Sequence, residues 1–202
     1  MSLASSSPAP WRSPLARALH RNRALAHARY LQLATVNTNG APANRTLVFR
    51  GFLAGTNHLT FVTDTRSEKV EQISHNSQGE ACWYFPKTRE QFRIAGRLSL
   101  IDHQHGDLAL QGSRYAAWQA LSEAARTQFT WAPPGQPKEA ASTLNGTILD
   151  PIDPVSNFGL LLLEPLSVDH LELRGEPQNR CRYLRQVGQD EHFTWLTQMI
   201  NP

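Results

Sequence analysis

The sequence predicts a mostly β protein with added α-helices, built as one antiparallel barrel. Three observations carry this reading. Short strand-like runs follow one another across tight turns. A single helix is inserted among the first five of them, too few crossovers for a parallel α/β sheet. The chain has 202 residues, 40% of them hydrophobic and 18% charged, which suits one sizeable core and is short for two domains.

The elements follow in order. The opening "MSLASSSPAPWRSPLARALHRNRALAHARY" is rich in Arg and Ser, and the first acidic residue is Asp64. That composition is compatible with a transit peptide. The preferred reading is a flexible stretch over residues 1–12, then a helix capped by Ser13 with Pro14 as its first residue. Leu15, Ala18 and Leu19 share one face of it, and Tyr30 runs straight into a strand. Leu31, Leu33 and Thr35 alternate with Gln32, Ala34 and Val36, and Asn37–Gly40 is a turn signal. Arg45 to Phe52 is the second run and His58 to Thr63 the third, with a turn at Ala54–Asn57. A helix is predicted from Ser67 to about Asn76, with Val70 and Ile73 on one face. "EACWYFP" and "TREQFRIAGRLSLID" are the fourth and fifth runs; Phe92, Ile94, Gly96 and Leu98 share a face of the fifth.

From Gly106 to Trp131 the spacing of Leu110, Ser113, Ala117, Ala120 and Leu121 is helical, and Ser122 followed by Glu123 marks a second helix start. Residues 132–157 form a long loop rich in Pro, Ser and Gly, of the kind used as lids or linkers. "FGLLLLEP", "VDHLELRG", "RCRYLRQV" and "FTWLTQMINP" close the chain as strands. The whole is a single domain over residues 13–202.

Composition excludes several functions. The net charge is +3 with scattered arginines and no long run of like charges, so nothing points to nucleic acid. No apolar run approaches a membrane span. Cys82 and Cys181 are too few for a disulfide framework or a zinc site, and a cytoplasmic location fits them best. His103, His105, His170 and His192 show no metal-ligand spacing and read as surface or turn residues. Trp83, Trp118 and Trp131 read as core or helix-packing residues.

One stretch suggests chemistry. In "FVTDTRSEKVEQI" a strand ends near Thr63 and a helix starts after Ser67 or Thr65, either of which suits the N-cap. The first turn of a helix has free N–H groups and a partial positive charge, and so can hold a phosphate. Thr63, Ser67 and Lys69 gather at that point. The same residues also suit an ordinary capped helix on a wet face.

The order of these elements and three motifs within them resemble the FMN-binding split barrels related to pyridoxamine 5′-phosphate oxidase, and more closely a side branch of that group. "RTLVFRGF" is similar to the family's Arg-x-Val-Leu-Leu-Lys strand, "FVTDTRSEKVEQI" to its Tyr-Thr-x-x-x-Ser-Arg-Lys turn, and "REQFRIAG" to its Arg-Gln-Val-x-Val-x-Gly strand. The terminal "WLTQMINP" is similar to its Trp-x-x-x-x-Leu-Asn-Pro. The resemblance spans roughly Arg12 to Pro202.

The resemblance implies an FMN-binding split β-barrel, antiparallel, acting as a homodimer with flavin at the subunit interface. It implies cofactor contacts from Arg45, Thr46, Leu47, Val48 and Arg50 of the first motif. From the second it implies Val62, Thr63, Arg66, Ser67 and Lys69, and beyond these Gln91 and, near the C-terminus, Arg182. Charge-assisted bonds from Arg45, Thr63, Ser67 and Lys69 suit a phosphate monoester. Where the family has an arginine before the lysine, this chain has Glu68, which must point away, and Arg66 is the replacement charge.

Substrate features carry over less completely. The family lysine is Arg50, with a different donor geometry. No Tyr-x-x-x-Arg falls in register among Arg114, Tyr115 and Arg126, and the C-terminal histidine has no counterpart in "NRCRYL"; on the flavin side, the tryptophan the family places near Arg182 is Leu173. The functional expectation is an FMN-dependent oxidoreductase acting on a small molecule. A true pyridoxamine or pyridoxine 5′-phosphate oxidase and a non-catalytic flavin- or haem-binding protein are the alternatives.

Overall fold

The computed structural model describes residues 8–137, 149–187 and 193–202. Helix α1 (Arg12–Asn22) leads into strands β1 (Tyr30–Val36), β2 (Pro42–Val48), β3 (Gly51–Phe52) and β4 (Leu59–Asp64). After α2 (Glu68–His75) come β5 (Gln78–Phe85), β6 (Glu90–Ile101), α3 (Leu108–Gln119) and α4 (Glu123–Thr127). Strands β7 (Phe158–Glu172), β8 (Asn179–Val187) and β9 (Phe193–Ile200) close the chain. All pairings are antiparallel, in the order β2-β1-β5-β6-β7-β4-β3, with β8 on β7 and β9 on β8. The sheet curls into a split half-barrel: the strand pattern predicts the antiparallel barrel, and the resemblance implies the split.

The split arises at β7. Its first half pairs with β4, Thr63 lying opposite Gly159, and its second half pairs with β8, Asp169 lying opposite Arg182. The sequence reads "FGLLLLEP" and "VDHLELRG" as two strands because Pro165 interrupts them; the structure makes them one. Proline lacks a ladder N–H and survives in a sheet at a bulge. Here Pro165 faces Gly96, where the register with β6 shifts. A Cβ on Gly96 would stand 1.9 Å from the Glu164 carbonyl oxygen, so only glycine allows this approach. Conversely, the run Arg45–Phe52, expected as one strand, is interrupted at Phe49–Arg50.

Alternation along the strands puts Leu31, Leu33, Phe61, Ala81, Trp83, Phe92, Ile94, Leu161 and Val168 inside the barrel. Leu15 and Ala18 of α1 join them, as expected from their spacing. The helix begins at Arg12, ahead of the expected Ser13 cap, and Trp11 holds the N-cap position without a side-chain bond. The stretch 1–12, placed outside the fold by sequence, contributes Ala9 and Trp11 to this core. On the outer side of β7's first half, Leu160, Leu162 and Phe158 pack under α3 with Ile101 and Trp118. Of the loop 132–157, residues 138–148 lie outside the described residues, as does His192.

Candidate functional site

Strand β4 alternates Leu59, Phe61 and Thr63 inward with Thr60, Val62 and Asp64 on the other face. Thr63 thus arrives at the barrel rim beside the start of α2. Ser67 occupies the N-cap position with extended backbone, yet its side chain makes no cap bond. Its hydroxyl instead donates back to the Asp64 carbonyl at 2.6 Å and accepts from Lys69 Nζ at 2.8 Å. Lys69 Nζ also donates to Thr63 Oγ1 at 3.0 Å. Three residues singled out by sequence therefore form one cluster, with Thr63 and Ser67 both buried.

Arg45 approaches from β2. Its Nη2 donates to Gln72 Oε1 at 2.7 Å, and its Nη1 to the Leu33 carbonyl at 3.2 Å and to Thr35 Oγ1. Thr35 donates to the same Gln72 oxygen at 2.6 Å, while Gln72 Nε2 donates to Asn37 Oδ1 at 2.6 Å. Sequence reasoning missed this clamp of Thr35, Asn37 and Gln72. Gln72 was findable: it stands three residues after Lys69, on the same helix face.

Burial lowers the Lys69 pKa, and the Arg45 charge lowers it further, against weaker opposition from Asp64 and Glu68. Burial likewise lowers that of Arg45, opposed by Glu68. Two desolvated cations thus sit on neutral oxygens within electrostatic reach of each other. A dianionic phosphate offers what such an arrangement lacks, and the residues present fit one.

The remaining expected residues separate from this cluster. Arg66 forms a two-pronged pair with Asp64, Nε to Oδ1 at 2.9 Å and Nη2 to Oδ2 at 2.6 Å, and donates to the Trp131 carbonyl at 3.1 Å. Its guanidinium is engaged there rather than replacing a charge beside Lys69. Glu68 is exposed and lies against the Gly135 turn, pointing outward as expected. Thr46 and Arg50 are exposed, Leu47 packs against the barrel core, and Val48 is half-buried opposite Tyr30. Val62 packs on the other face of β4, against the Trp118–Phe158 cluster.

Gln91 and Arg182 stand on the outer face of the sheet. Their neighbours Phe92 and Tyr183 point inward, and Arg182 lies 3.9 Å from Asp169. Between the Thr63–Gly159 pair and the Arg182–Asp169 pair runs about 33 Å of strand. Gln91 and Arg182 thus stand well along β7 from the Lys69 cluster.

Two other expectations change. His170, read as a surface or turn residue, is buried, stacks on Phe92 at 4.1 Å and lies 2.9 Å from Glu90 Oε2. Glu172 lies close by, with the ligand atoms of all three within 4.8 Å of one another. Trp131 is exposed rather than core, unlike Trp83 and Trp118. Arg114, out of register with the family motif, is buried and donates to the carbonyls of Phe158 at 2.9 Å and Val155 at 2.8 Å. It ties α3 to the start of β7.

The chain is thus a split antiparallel barrel with a basic, hydroxyl-lined rim at a helix start. Comparison with known proteins gives its family. Residues 8–102 match the family described as "Pyridoxamine 5'-phosphate oxidase, FMN-binding domain", so the match stops at the end of β6, before α3. The chain is 38% identical over 195 residues to pyridoxine/pyridoxamine 5′-phosphate oxidase 2 of Arabidopsis thaliana, covering 96% of this chain and 98% of that one. A crystal structure of a pyridoxamine 5′-phosphate oxidase-related, FMN-binding protein from Nostoc punctiforme is 57% identical, with a TM-score of 0.91 over 98% of this chain and 100% of that one. PhzG from Burkholderia lata shares the fold at 18% identity, with a TM-score of 0.74 over 98% of this chain and 95% of that one. The chain belongs to the pyridoxamine 5′-phosphate oxidase-like family of FMN-binding split barrels, whose cofactor is FMN.

Proposed function

We propose that this protein is an FMN-dependent oxidoreductase of the cytoplasm, acting on a small substrate as a homodimer. The observation that carries the flavin site is the Lys69–Arg45 cluster, two half-buried cations on neutral acceptors at a helix start. In this reading Lys69, Thr63, Ser67 and Arg45 hold the FMN phosphate, and the Gln72 clamp fixes Arg45 toward it. Bound FMN supplies the redox chemistry; the chain's residues bind it, orient it and limit water around it.

The dimer is supported by two features. Gln91 and Arg182 lie on the opposite sheet face from Lys69, so a second chain is needed for both groups to reach one flavin. Among the described residues strand β9 pairs only with β8, and Val187, Phe193, Leu196 and Met199 are apolar and exposed there. A second copy would cover it.

For the substrate, the near full-length similarity to the Arabidopsis oxidase favours pyridoxamine or pyridoxine 5′-phosphate. Arg50 and residues of the second chain would then hold its phosphate in place of the family lysine. The test is anaerobic: mix the purified yellow protein with pyridoxamine 5′-phosphate and follow flavin bleaching. Rapid bleaching supports the vitamin-B6 reading. Bleaching only by other reductants leaves an oxidoreductase of different substrate, and no bleaching by any donor sinks the enzyme reading in favour of a flavin carrier. Mass identification of the released cofactor as FAD or haem would overturn the FMN assignment.

A further inference from the structure

A second concentration of positive charge lies at the far end of β7 from the Lys69 cluster. His20 and Arg21 from the last turn of α1, Arg23 just beyond it, Lys87 and Thr88 from the β5–β6 turn, and Arg174 after β7 line one concavity of about 470 Å³. The concavity is open to solvent. No carboxylate stands in its lining.

The walls are held in place. Asn22 is fully buried, and its Nδ2 donates to the Ala18 carbonyl at 2.8 Å and to Thr88 Oγ1 at 3.1 Å. Its Oδ1 accepts from the Lys87 amide at 2.9 Å. One buried side chain thus pins the β5–β6 turn to the helix. Arg174 Nη2 donates to the Lys87 carbonyl at 2.8 Å, and Arg23 Nη1 to the His20 carbonyl at 2.8 Å. Both guanidiniums are fixed by neutral acceptors.

Part of this charge has an ordinary role. His20 and Arg21 complement the dipole at the C-terminus of α1. Lys87 and Arg174 stand outside the helix, and their presence beside Arg21 and Arg23 adds like-charge repulsion. We propose that this concavity is a second anion site, distinct from the flavin site, for a compact ligand bearing at least two phosphate groups, such as a nucleoside diphosphate. Cations from three segments line the one concavity, so a ligand with linked phosphates offers a charge to more than one of them. Glu176 lies in the adjoining concavity past Arg174, which confines the anion to the α1 side.

The test uses protein saturated with FMN, titrated with inorganic pyrophosphate and with ADP by calorimetry at low ionic strength. Both should bind, and affinity should fall as salt is raised. Lys87→Ser and Arg174→Ser should each weaken binding by about tenfold. Arg21→Glu, which touches none of the pinning bonds, should weaken it more, while Lys69→Ala leaves it unchanged. Absence of pyrophosphate binding overturns the proposal, as does binding that survives Arg21→Glu or is lost with Lys69→Ala. Tight binding of single-stranded RNA without pyrophosphate binding would also overturn it, in favour of a polymer-binding surface.

Discussion

On the outer face of the sheet, arginines meet carboxylates: Arg93 lies 2.6 Å from Glu80 and Arg180 2.9 Å from Asp169. At the barrel rim, Lys69 and Arg45 meet hydroxyls, a side-chain amide and a backbone carbonyl. The consequences run in opposite directions. Hydrogen bonds to Glu80 and Asp169 raise the pKa values of Arg93 and Arg180, whereas burial lowers those of Lys69 and Arg45. A cation neutralised inside its own chain mainly joins strands. A cation held on neutral acceptors keeps its attraction for an outside anion. The contrast between the two faces points to the rim as the place for FMN.

The largest expected effect comes from removing the rim cations. Arg45→Ala and Lys69→Ala should each weaken FMN binding by about ten- to a hundred-fold, from charge-assisted bonds of about 1.5–3 kcal/mol. Riboflavin, which lacks the phosphate, should bind Lys69→Ala nearly as well as the parent. A parallel loss of riboflavin affinity would show that the cluster does not read the phosphate. Arg45→Ala should also lower the stability of the cofactor-free protein by about 1–3 kcal/mol, measured by urea unfolding, because Gln72 and Thr35 lose their shared partner.

Next comes pH. The folded, cofactor-free protein holds the Lys69 proton more weakly than the unfolded chain does. Below the lowered pKa both states are protonated, and the cost of burying the charge is complete. As pH rises from there to the ordinary lysine range, the folded state releases the proton first and that cost is relieved. The stability difference between the parent and Lys69→Met should therefore move in the parent's favour across this alkaline window. Saturating FMN should flatten the trend, since the phosphate supplies the opposing charge. A difference that stays constant with pH in the cofactor-free protein would contradict this assignment.

Smaller effects should follow from groups already paired or pointing outward. Arg66→Ala should change FMN affinity by less than about threefold, because its guanidinium serves Asp64 and the Trp131 carbonyl. Glu68→Ala should be neutral or slightly favourable for FMN, since a carboxylate gives a phosphate nothing to accept. Smallest of all, Arg93→Ala should leave FMN affinity unchanged and cost at most about 1 kcal/mol in unfolding, as expected of an exposed pair. A large loss of FMN affinity in Arg93→Ala, with the rim variants unaffected, would reverse the comparison.

Much of the rim was legible in the sequence because it is local. Thr63, Ser67 and Lys69 lie within one strand-to-helix turn, and alternation followed by helical spacing places them together. The cap was only half legible: Ser67 holds the expected position, but a lysine two residues on draws its hydroxyl away from the helix amides. The surroundings of Arg66 were less legible for a related reason. Its partner Asp64 is nearby in sequence, but Asn157, which also bonds Asp64, and the Trp131 carbonyl, which also accepts from Arg66, arrive from distant segments.

By itself the sequence determined the succession of short strands, the helix after Thr63, the absence of acidic residues before Asp64, and the gathering of hydroxyls and a lysine at one turn. These depend on the backbone's periodicities and on residues a few positions apart. Tertiary structure alone decided that β7 is one strand, since Pro165 is acceptable only where Gly96 shifts the register of a strand far away in the chain. It decided that His170 is buried against Glu90 and that Gln72 steers Arg45. It also put Gln91 and Arg182 on the opposite face from Lys69. Each of these depends on which strands pair and in what register, and a shift of one residue would turn every side chain to the other face.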